Sequence, residues 1–127
     1  NFDQDSNQKK ISKSIEIVYG LRNFIGNANK FAKNTIFINL KSDSEITEIT
    51  VEDDGDGYPR DIISKIGEPY LKSNYSKDKS KEGLGLGLFI GKTLLEKNFA
   101  SVNCRNSKTR NGAEVVIRWK NKELFNI

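Results

Sequence analysis

Residues 46–57 read Ile-Thr-Glu-Ile-Thr-Val-Glu-Asp-Asp-Gly-Asp-Gly, a β-rich run that ends in acidic residues and glycines. The first eight residues of this run predict a strand over residues 46–53. Because successive side chains of a strand point to opposite faces, Ile49, Val51 and Asp53 are expected to share one face of a sheet. The strand therefore ends on a carboxylate that points inward.

The glycines that follow Asp53 predict a sharp turn. Gly55 and Gly57 lack a Cβ atom, so another group can approach the backbone closely there. An inward carboxylate can accept a hydrogen bond from an amino group, such as the exocyclic amine of adenine. Taken alone, the stretch is equally compatible with an ordinary Asp-Gly turn. A calcium loop fits less well, because the distal Glu and the flanking helix pair are missing.

A long amphipathic helix is predicted upstream, over residues 15–33, where apolar residues recur at three- and four-residue steps. Asn23, Asn27 and Lys30 lie on one face of this helix, beside the apolar stripe. Asn is unfavourable inside a helix, whereas an amide oxygen can bind a hard cation and a Lys ammonium can bind phosphate. For this helix alone, a solvated polar face is the favoured interpretation.

Residues 83–88 read Gly-Leu-Gly-Leu-Gly-Leu and run into a second predicted helix over residues 85–97. Alternate glycines expose backbone N–H groups at a helix N-terminus, which is typical of an anion site. The dinucleotide-binding fingerprint does not fit, because no strand precedes the glycines. The P-loop pattern does not fit either, because Leu86 occupies the position of its first glycine.

The other segments complete the predicted architecture. They comprise a short helix at residues 59–66, a long lysine-rich loop at residues 71–83 and three strands at residues 35–41, 101–106 and 113–120. The strands are grouped rather than strictly alternating with helices, which favours an α+β two-layer sandwich. Cys104 is expected to be a half-buried strand residue. A loop as long as 71–83 inside a compact domain is usually functional.

Composition excludes several classes of chemistry. The 127 residues include no histidine and one cysteine, so catalysis by histidine, zinc sites built on histidine or several cysteines, and an internal disulfide are excluded within this chain. The net charge is +4, of which residues 72–81 contribute +3. No basic stripe with base-reading side chains accompanies this charge, so no nucleic acid is expected as a partner. No apolar run approaches the ~20 residues of a membrane helix.

The organisation of the chain suggests one domain with an arm. Residues 1–14 are polar and are interpreted as an N-terminal arm or the end of a linker, and residues 15–127 as the domain. The sequence has no Met, even at position 1, so we expect an excised fragment or a processed chain.

The order and spacing of these motifs resemble the ATP-binding fold of the GHKL superfamily, which includes gyrase-type topoisomerases, the heat-shock chaperone, MutL and histidine kinases. The resemblance spans roughly residues 15–119. Five segments resemble the N, G1, F, G2 and last glycine boxes of that superfamily, namely residues 23–31, 53–57, 67–70, 83–87 and 111–113. The resemblance implies a Bergerat fold, in which about three helices cover one face of a mixed, mostly antiparallel sheet.

One position within the N box separates members of the superfamily. GHKL ATPases and anti-sigma serine kinases carry a Glu four residues before the magnesium-binding Asn, and here that position is Asn23. Without this base, attack by water should be slow. The pair Asn23 and Asn27 is the pattern of histidine kinases, and the stretches IVYGLRNFIGNA, GEPY and GLGLGLFIGKTLLE resemble the RegB/PrrB redox sensors.

The resemblance implies roles for particular residues. Asp53 accepts from the adenine amine within the turn formed by Gly55 and Gly57. Asn27 coordinates Mg²⁺, Asn23 supports it, and Lys30 lies near the phosphates of ATP. The loop of residues 71–82 forms a lid. The phosphates also contact the backbone of the G2 box, namely Gly83, Leu84, Gly85, Leu86 and Gly87.

The resemblance also implies the context of the reaction. The phosphate acceptor is a histidine on a separate helical dimerisation domain, and a response regulator receives the phosphate afterwards. The full-length protein is expected to be a homodimer anchored in the bacterial inner membrane, with this chain as a monomeric cytoplasmic domain. The alternatives are a nucleotide-binding regulatory domain without transferase activity and a GHKL ATPase.

Overall fold

Two long helices frame the fold in the computed structural model, which describes the backbone of residues 2–59 and 84–124 and the side chains of residues 14–59 and 87–124. Helix α1 spans Phe2–Phe31 and α2 spans Leu84–Lys97. The second helix agrees with its predicted range. The first begins thirteen residues before its predicted start, because residues 2–14 contain no Gly or Pro that would interrupt helical propagation.

Four strands form one antiparallel sheet. They are β1 (Ile36–Ser42), β2 (Ile46–Asp53), β3 (Ser101–Asn106) and β4 (Ala113–Lys120), in the spatial order β1-β2-β4-β3. The strand predictions are confirmed to within one residue at each end. A four-residue helix, α3, follows at Asn121–Leu124. Three helices and an antiparallel sheet among the described residues confirm the predicted α+β class.

The helices cover one face of the sheet. Val51 of β2 lies opposite Val115 of β4, and Ile49 lies opposite Ile117, so these side chains share the covered face as the alternation predicted. Phe24 of α1 joins this core with at most 1% of its surface exposed. Burying such side chains contributes roughly 1.5–3 kcal/mol each relative to exposure.

The two helices approach closely because each presents a glycine to the other. A Cβ atom on Gly20 of α1 would lie 2.8 Å from Leu95 Cγ, and one on Gly91 of α2 would lie 2.7 Å from a ring carbon of Phe24. This close contact places the start of α2 beside the polar face of α1.

Several of the predicted segments are not among the residues that the structure describes. The short helix from residue 60 onward, the F-box segment 67–70, the loop 71–83 and Gly83 lie outside the described residues. Among the residues that are described, no helix combines the length and the apolar character needed to cross a bilayer.

Candidate functional site

A cleft opens between α1 and the covered face of the sheet. Most of its wall is apolar and consists of Phe24, Ala28, Phe31, Val51, Tyr58, Pro59, Ala113 and Val115. Its polar side is formed by Asn27, Asp53, Asp56 and Gly57. An apolar slot with a few polar groups on one side is the arrangement that binds a flat, partly polar ring.

Asp53 is the buried carboxylate of this cleft, with 3% of its surface exposed. Its Oδ1 atom accepts hydrogen bonds from the backbone N–H groups of Gly55, at 2.8 Å, and Ala113, at 3.3 Å. Both donors reach the same oxygen, so they fix the plane of the carboxylate while Asp53 lines the cleft. The prediction that Asp53 points inward is confirmed.

Glycines bring the backbone up to Asp53 and to the end of α1. A Cβ atom on Gly55 would lie 2.2 Å from the carbonyl oxygen of Phe31, and one on Gly112 would lie 2.0 Å from the carbonyl oxygen of Asp53. No side chain fits at either position. Gly57 has a φ of 82°, in the left-handed region that favours glycine. The close approach predicted for this turn is therefore present.

The two asparagines of α1 lie against the first turns of α2. A Cβ atom on Gly87 would lie 3.2 Å from Asn27 Nδ2 and 3.7 Å from Asn23 Oδ1. Asn23 Nδ2 donates to the carbonyl oxygen of Tyr19 at 2.9 Å. Asn27 Nδ2 is buried and has no hydrogen-bond partner, although Asn27 lines the cleft. A buried amide donor without a partner is costly.

The structure does not bring every predicted residue together. Lys30 is exposed, its Nζ atom lies 5.4 Å from the centre of the Phe31 ring, and it is not among the described residues that line the cleft. Leu84, Gly85 and Leu86 form the first turn of α2, where their N–H groups belong to a helix N-terminus. The side chains of Leu84 and Leu86 are outside the described set.

Asp54 ties the glycine turn to the end of α1, a role that the sequence did not reveal. Its carboxylate accepts from three consecutive backbone N–H groups, those of Lys33, Asn34 and Thr35, at 2.9–3.2 Å. The hydrogen bonds from Asn34 and Thr35 lower the pKa of Asp54. An ion pair of 3.1 Å between Lys33 and Asp56 crosses the same junction.

Asn106 fixes the far wall of the cleft, which sequence reasoning also missed. Its Oδ1 atom accepts from the N–H of Tyr58 at 2.7 Å, and its Nδ2 atom donates to the carbonyl oxygen of Tyr58 at 3.2 Å. Burial, with the neighbouring Cys104 and Asp53, raises the pKa of the Tyr58 hydroxyl well above its usual value. Burial also raises the pKa of the Cys104 thiol to about 12. Cys104 is a partly buried strand residue, as predicted.

The donors available for a metal ion are few. Within the described residues, no group of three or more His, Cys, Asp or Glu side chains could hold a metal ion. The Asn27 amide remains as a neutral oxygen ligand in the cleft. A hard cation that keeps most of its ligands as water and phosphate oxygens, as Mg²⁺ does, suits such a sparse donor set.

Comparison with known proteins identifies the class to which this fold and cleft belong. Residues 12–123 match the family model of histidine kinase-, DNA gyrase B- and HSP90-like ATPases. The chain therefore belongs to this family, and the predicted superfamily is confirmed.

Sensor histidine kinases are among its relatives. The sensor histidine kinase RegB of Cereibacter sphaeroides is 39% identical over 108 residues, which cover 81% of this chain and 23% of RegB. The sensor protein RstB of Escherichia coli is 31% identical over 99 residues, which cover 78% of this chain and 23% of RstB. The chain thus spans about a quarter of these relatives, and its similarity is to the ATP-binding catalytic domain of the sensor kinases. The predicted likeness to the RegB type is confirmed.

Solved structures of sensor kinases share the fold. The mycobacterial sensor histidine kinase MprB superposes with a TM-score of 0.65 at 21% identity, over 80% of this chain and 70% of that one. Full-length ShkA in complex with AMPPNP superposes with a TM-score of 0.63 at 24% identity, over 82% of this chain and 21% of that one.

Proposed function

We propose that this chain binds Mg-ATP in the cleft between α1 and the sheet and donates the γ-phosphate to a histidine of another domain. The observation that carries the proposal is the pairing of a buried, fixed carboxylate at Asp53 with a buried, unpartnered amide at Asn27 in one apolar cleft. The carboxylate supplies the acceptor for an adenine amine. The amide supplies a polar group beside the helix N-terminus, where phosphate is favoured.

In this proposal the adenine ring lies in the apolar slot and Asp53 accepts its amine through Oδ2, because the two backbone donors occupy Oδ1. The Oδ1 atom of the Asn27 amide would hold Mg²⁺, whose charge would offset that of the phosphates. Asn23 would support the polar face of α1, since its own amide donates a hydrogen bond to the Tyr19 carbonyl oxygen. The N–H groups of residues 83–87 would meet the phosphates and Lys30 would contribute positive charge. The ShkA structure, a complex with AMPPNP, supports a nucleotide in this fold.

Transfer to histidine is favoured over hydrolysis because Asn23 stands where related ATPases have a Glu base. An amide cannot take a proton from water, so hydrolysis in this site should be slow. Phosphoryl transfer itself depends mainly on positioning and on charge stabilisation. The alternatives are a regulatory domain that binds nucleotide without transfer and a GHKL ATPase.

The proposal places this chain within a larger signalling protein. Residues 15–127 would form the ATP-binding domain, and residues 1–14 would form the arm that leads into it; residues 2–14 of this arm lie in the first turns of α1. The acceptor would be a histidine on a helical dimerisation domain of the same protein, which would be a homodimer and would pass the phosphate to a response regulator. This domain would be monomeric and cytoplasmic, and the full-length protein would be anchored in the membrane.

Phosphotransfer to the dimerisation domain of the same protein, supplied as a separate polypeptide, tests this function. With γ-labelled ATP and Mg²⁺ we expect acid-labile phosphate on that domain and none on this chain, which contains no histidine. A variant of the acceptor domain without its histidine is the control. Phosphate release without labelling would favour the ATPase. Nucleotide binding with neither product would favour the regulatory domain, and either result would contradict the kinase.

A further inference from the structure

The turn between β3 and β4 is anchored to the exposed face of the sheet through Glu52. Ser107 Oγ donates to Glu52 Oε2 at 2.8 Å, and Arg110 Nε lies 3.5 Å from the same oxygen. The N–H of Arg110 donates to Ser107 Oγ at 3.2 Å, and the guanidinium group lies 3.4 Å from the centre of the Phe37 ring. Only 7% of the Ser107 surface is exposed, so its hydrogen bond to Glu52 is largely shielded from water, whereas 42% of the Arg110 side chain is exposed.

The same turn reaches the covered face of the sheet at Asp53. The N–H of Ser107 donates to the carbonyl oxygen of Gly112 at 2.7 Å, which closes the turn. The N–H of Ala113, the residue after Gly112, donates to Asp53 Oδ1. Because Glu52 and Asp53 are consecutive residues of β2, their side chains lie on opposite faces of the same strand end. The turn therefore contacts both faces at once.

We infer that Ser107 and Arg110 are positioning residues for base recognition, although neither lines the cleft. By anchoring the turn to Glu52, they hold the Ala113 N–H against Asp53 and so fix the carboxylate in the plane that suits the adenine amine. Loss of the anchor frees the turn and leaves Gly55 as the remaining one of the two backbone donors to Oδ1, so the carboxylate is held less firmly and its contact with adenine weakens. The contacts with phosphate are made elsewhere and are unaffected. This inference rests on the proposed nucleotide site.

The test compares variants of the anchor with a matched pair on the same face. Ser107→Ala removes the hydroxyl, and Arg110→Met keeps the length of the side chain but removes its charge. Arg118→Met is the control. Arg118 pairs with Glu48 of β2 on the same face of the sheet, and Glu48 lies five residues before Asp53. The Arg118 side chain is about as exposed as that of Arg110. Ser107→Thr retains a hydroxyl and serves as the conservative variant.

Affinities for ADP and GDP are the readout, measured on variants whose folding is confirmed by circular dichroism. Guanine presents a carbonyl oxygen where adenine presents its amine, so the ratio of the two affinities reports on Asp53. We expect Ser107→Ala and Arg110→Met to weaken the affinity for ADP roughly fivefold and to leave the affinity for GDP almost unchanged. Arg118→Met and Ser107→Thr should leave both affinities and their ratio unchanged.

The other outcomes separate this inference from the proposed site. An unchanged ratio in both anchor variants, or an equal loss for ADP and GDP, would overturn the positioning role while the nucleotide site stands. Failure of the unaltered chain to prefer ADP over GDP would instead overturn the nucleotide site on which the inference rests.

Discussion

The Asn27 side chain of α1 lies so close to Gly87 of α2 that a methyl group at position 87 would be tightly packed against it. A Cβ atom at position 87 would lie 3.2 Å from Asn27 Nδ2 and 3.5 Å from its Oδ1. The third glycine of the Gly-Leu-Gly-Leu-Gly stretch therefore accommodates the asparagine. It lets the helix that carries the glycines close onto the helix that carries the amide.

Gly87→Ala should weaken nucleotide binding by roughly tenfold, because the added methyl group displaces the Asn27 amide by a few tenths of an ångström. Gly26→Ala is the control. Nothing lies within 4 Å of a Cβ atom at position 26, so this change should leave affinity intact and stabilise α1 by about 0.5–1 kcal/mol. Calorimetric titration with ADP checks both variants, and equal affinity in Gly87→Ala would show that the contact does not shape the site.

Gly91→Ala should lower the free energy of unfolding by about 1–3 kcal/mol. The new methyl group would meet the ring of Phe24, with its nearest carbon at 2.7 Å, and this ring is buried too deeply to move aside. Urea unfolding followed by tryptophan fluorescence measures the change, since Trp119 belongs to the same core. A variant as stable as the unaltered protein would mean that the two helices can move apart without loss of stability.

Asp54→Asn should reduce thermal stability at neutral pH, with a loss that disappears in acid. The backbone N–H groups of Asn34 and Thr35 lower the pKa of Asp54 from its ordinary value of 3.8. Because the folded pKa is the lower one, the stabilisation is fully present above pH 3.8 and is lost as the pH falls through the folded pKa. Melting temperatures of both proteins should therefore differ at pH 7 and converge below pH 3.8.

A second aspartate titrates in the same range but does not disturb this comparison. Hydrogen bonds from Ile46 and Glu45 also lower the pKa of Asp43. Asp43 is present in both proteins, so its contribution cancels in the difference between the two melting temperatures. A constant difference down to pH 3 would contradict the assigned role of Asp54.

Cys104 should react very slowly with thiol reagents in the folded protein. With a pKa of about 12, roughly one thiol in ten thousand is ionised at pH 8. An unfolded chain, with a cysteine pKa near ~8.5, should react at once. Absorbance after addition of Ellman's reagent, with and without guanidinium chloride, measures both rates. Similar rates in the two conditions would show that the thiol is not buried.

Local patterns were sufficient to predict most of the described fold. The β-rich runs placed β1 to β4, and the period of two put Asp53 on the covered face, because the adjacent Val51 and Ile49 define that face. The start of α1 was wrong, because a polar stretch without Gly or Pro carries no signal that separates a helix from an arm.

Contacts between distant residues could not be predicted from the sequence. Asp54 binds N–H groups about 20 positions away, and Asn106 binds Tyr58 across 48 positions. The anchor of Ser107 on Glu52 spans 55 positions. Nothing in the local composition marks these partners, because their pairing depends on which strands become neighbours. The motifs identified residues that line the cleft, namely Asn27, Asp53 and Gly57, whereas the residues that hold them emerge only from the fold.

The central claim is that Asp53 recognises adenine in the cleft, and calorimetric titration with ADP and ATP, with and without Mg²⁺, tests it most directly. Asp53→Asn keeps an oxygen for the N–H groups of Gly55 and Ala113 but turns an amide donor toward the ligand. We expect the unaltered chain to bind adenine nucleotides and Asp53→Asn to lose at least about tenfold in affinity. A folded chain that binds no nucleotide at millimolar concentration, or an Asp53→Asn variant that binds ADP as tightly as its parent, would contradict the claim.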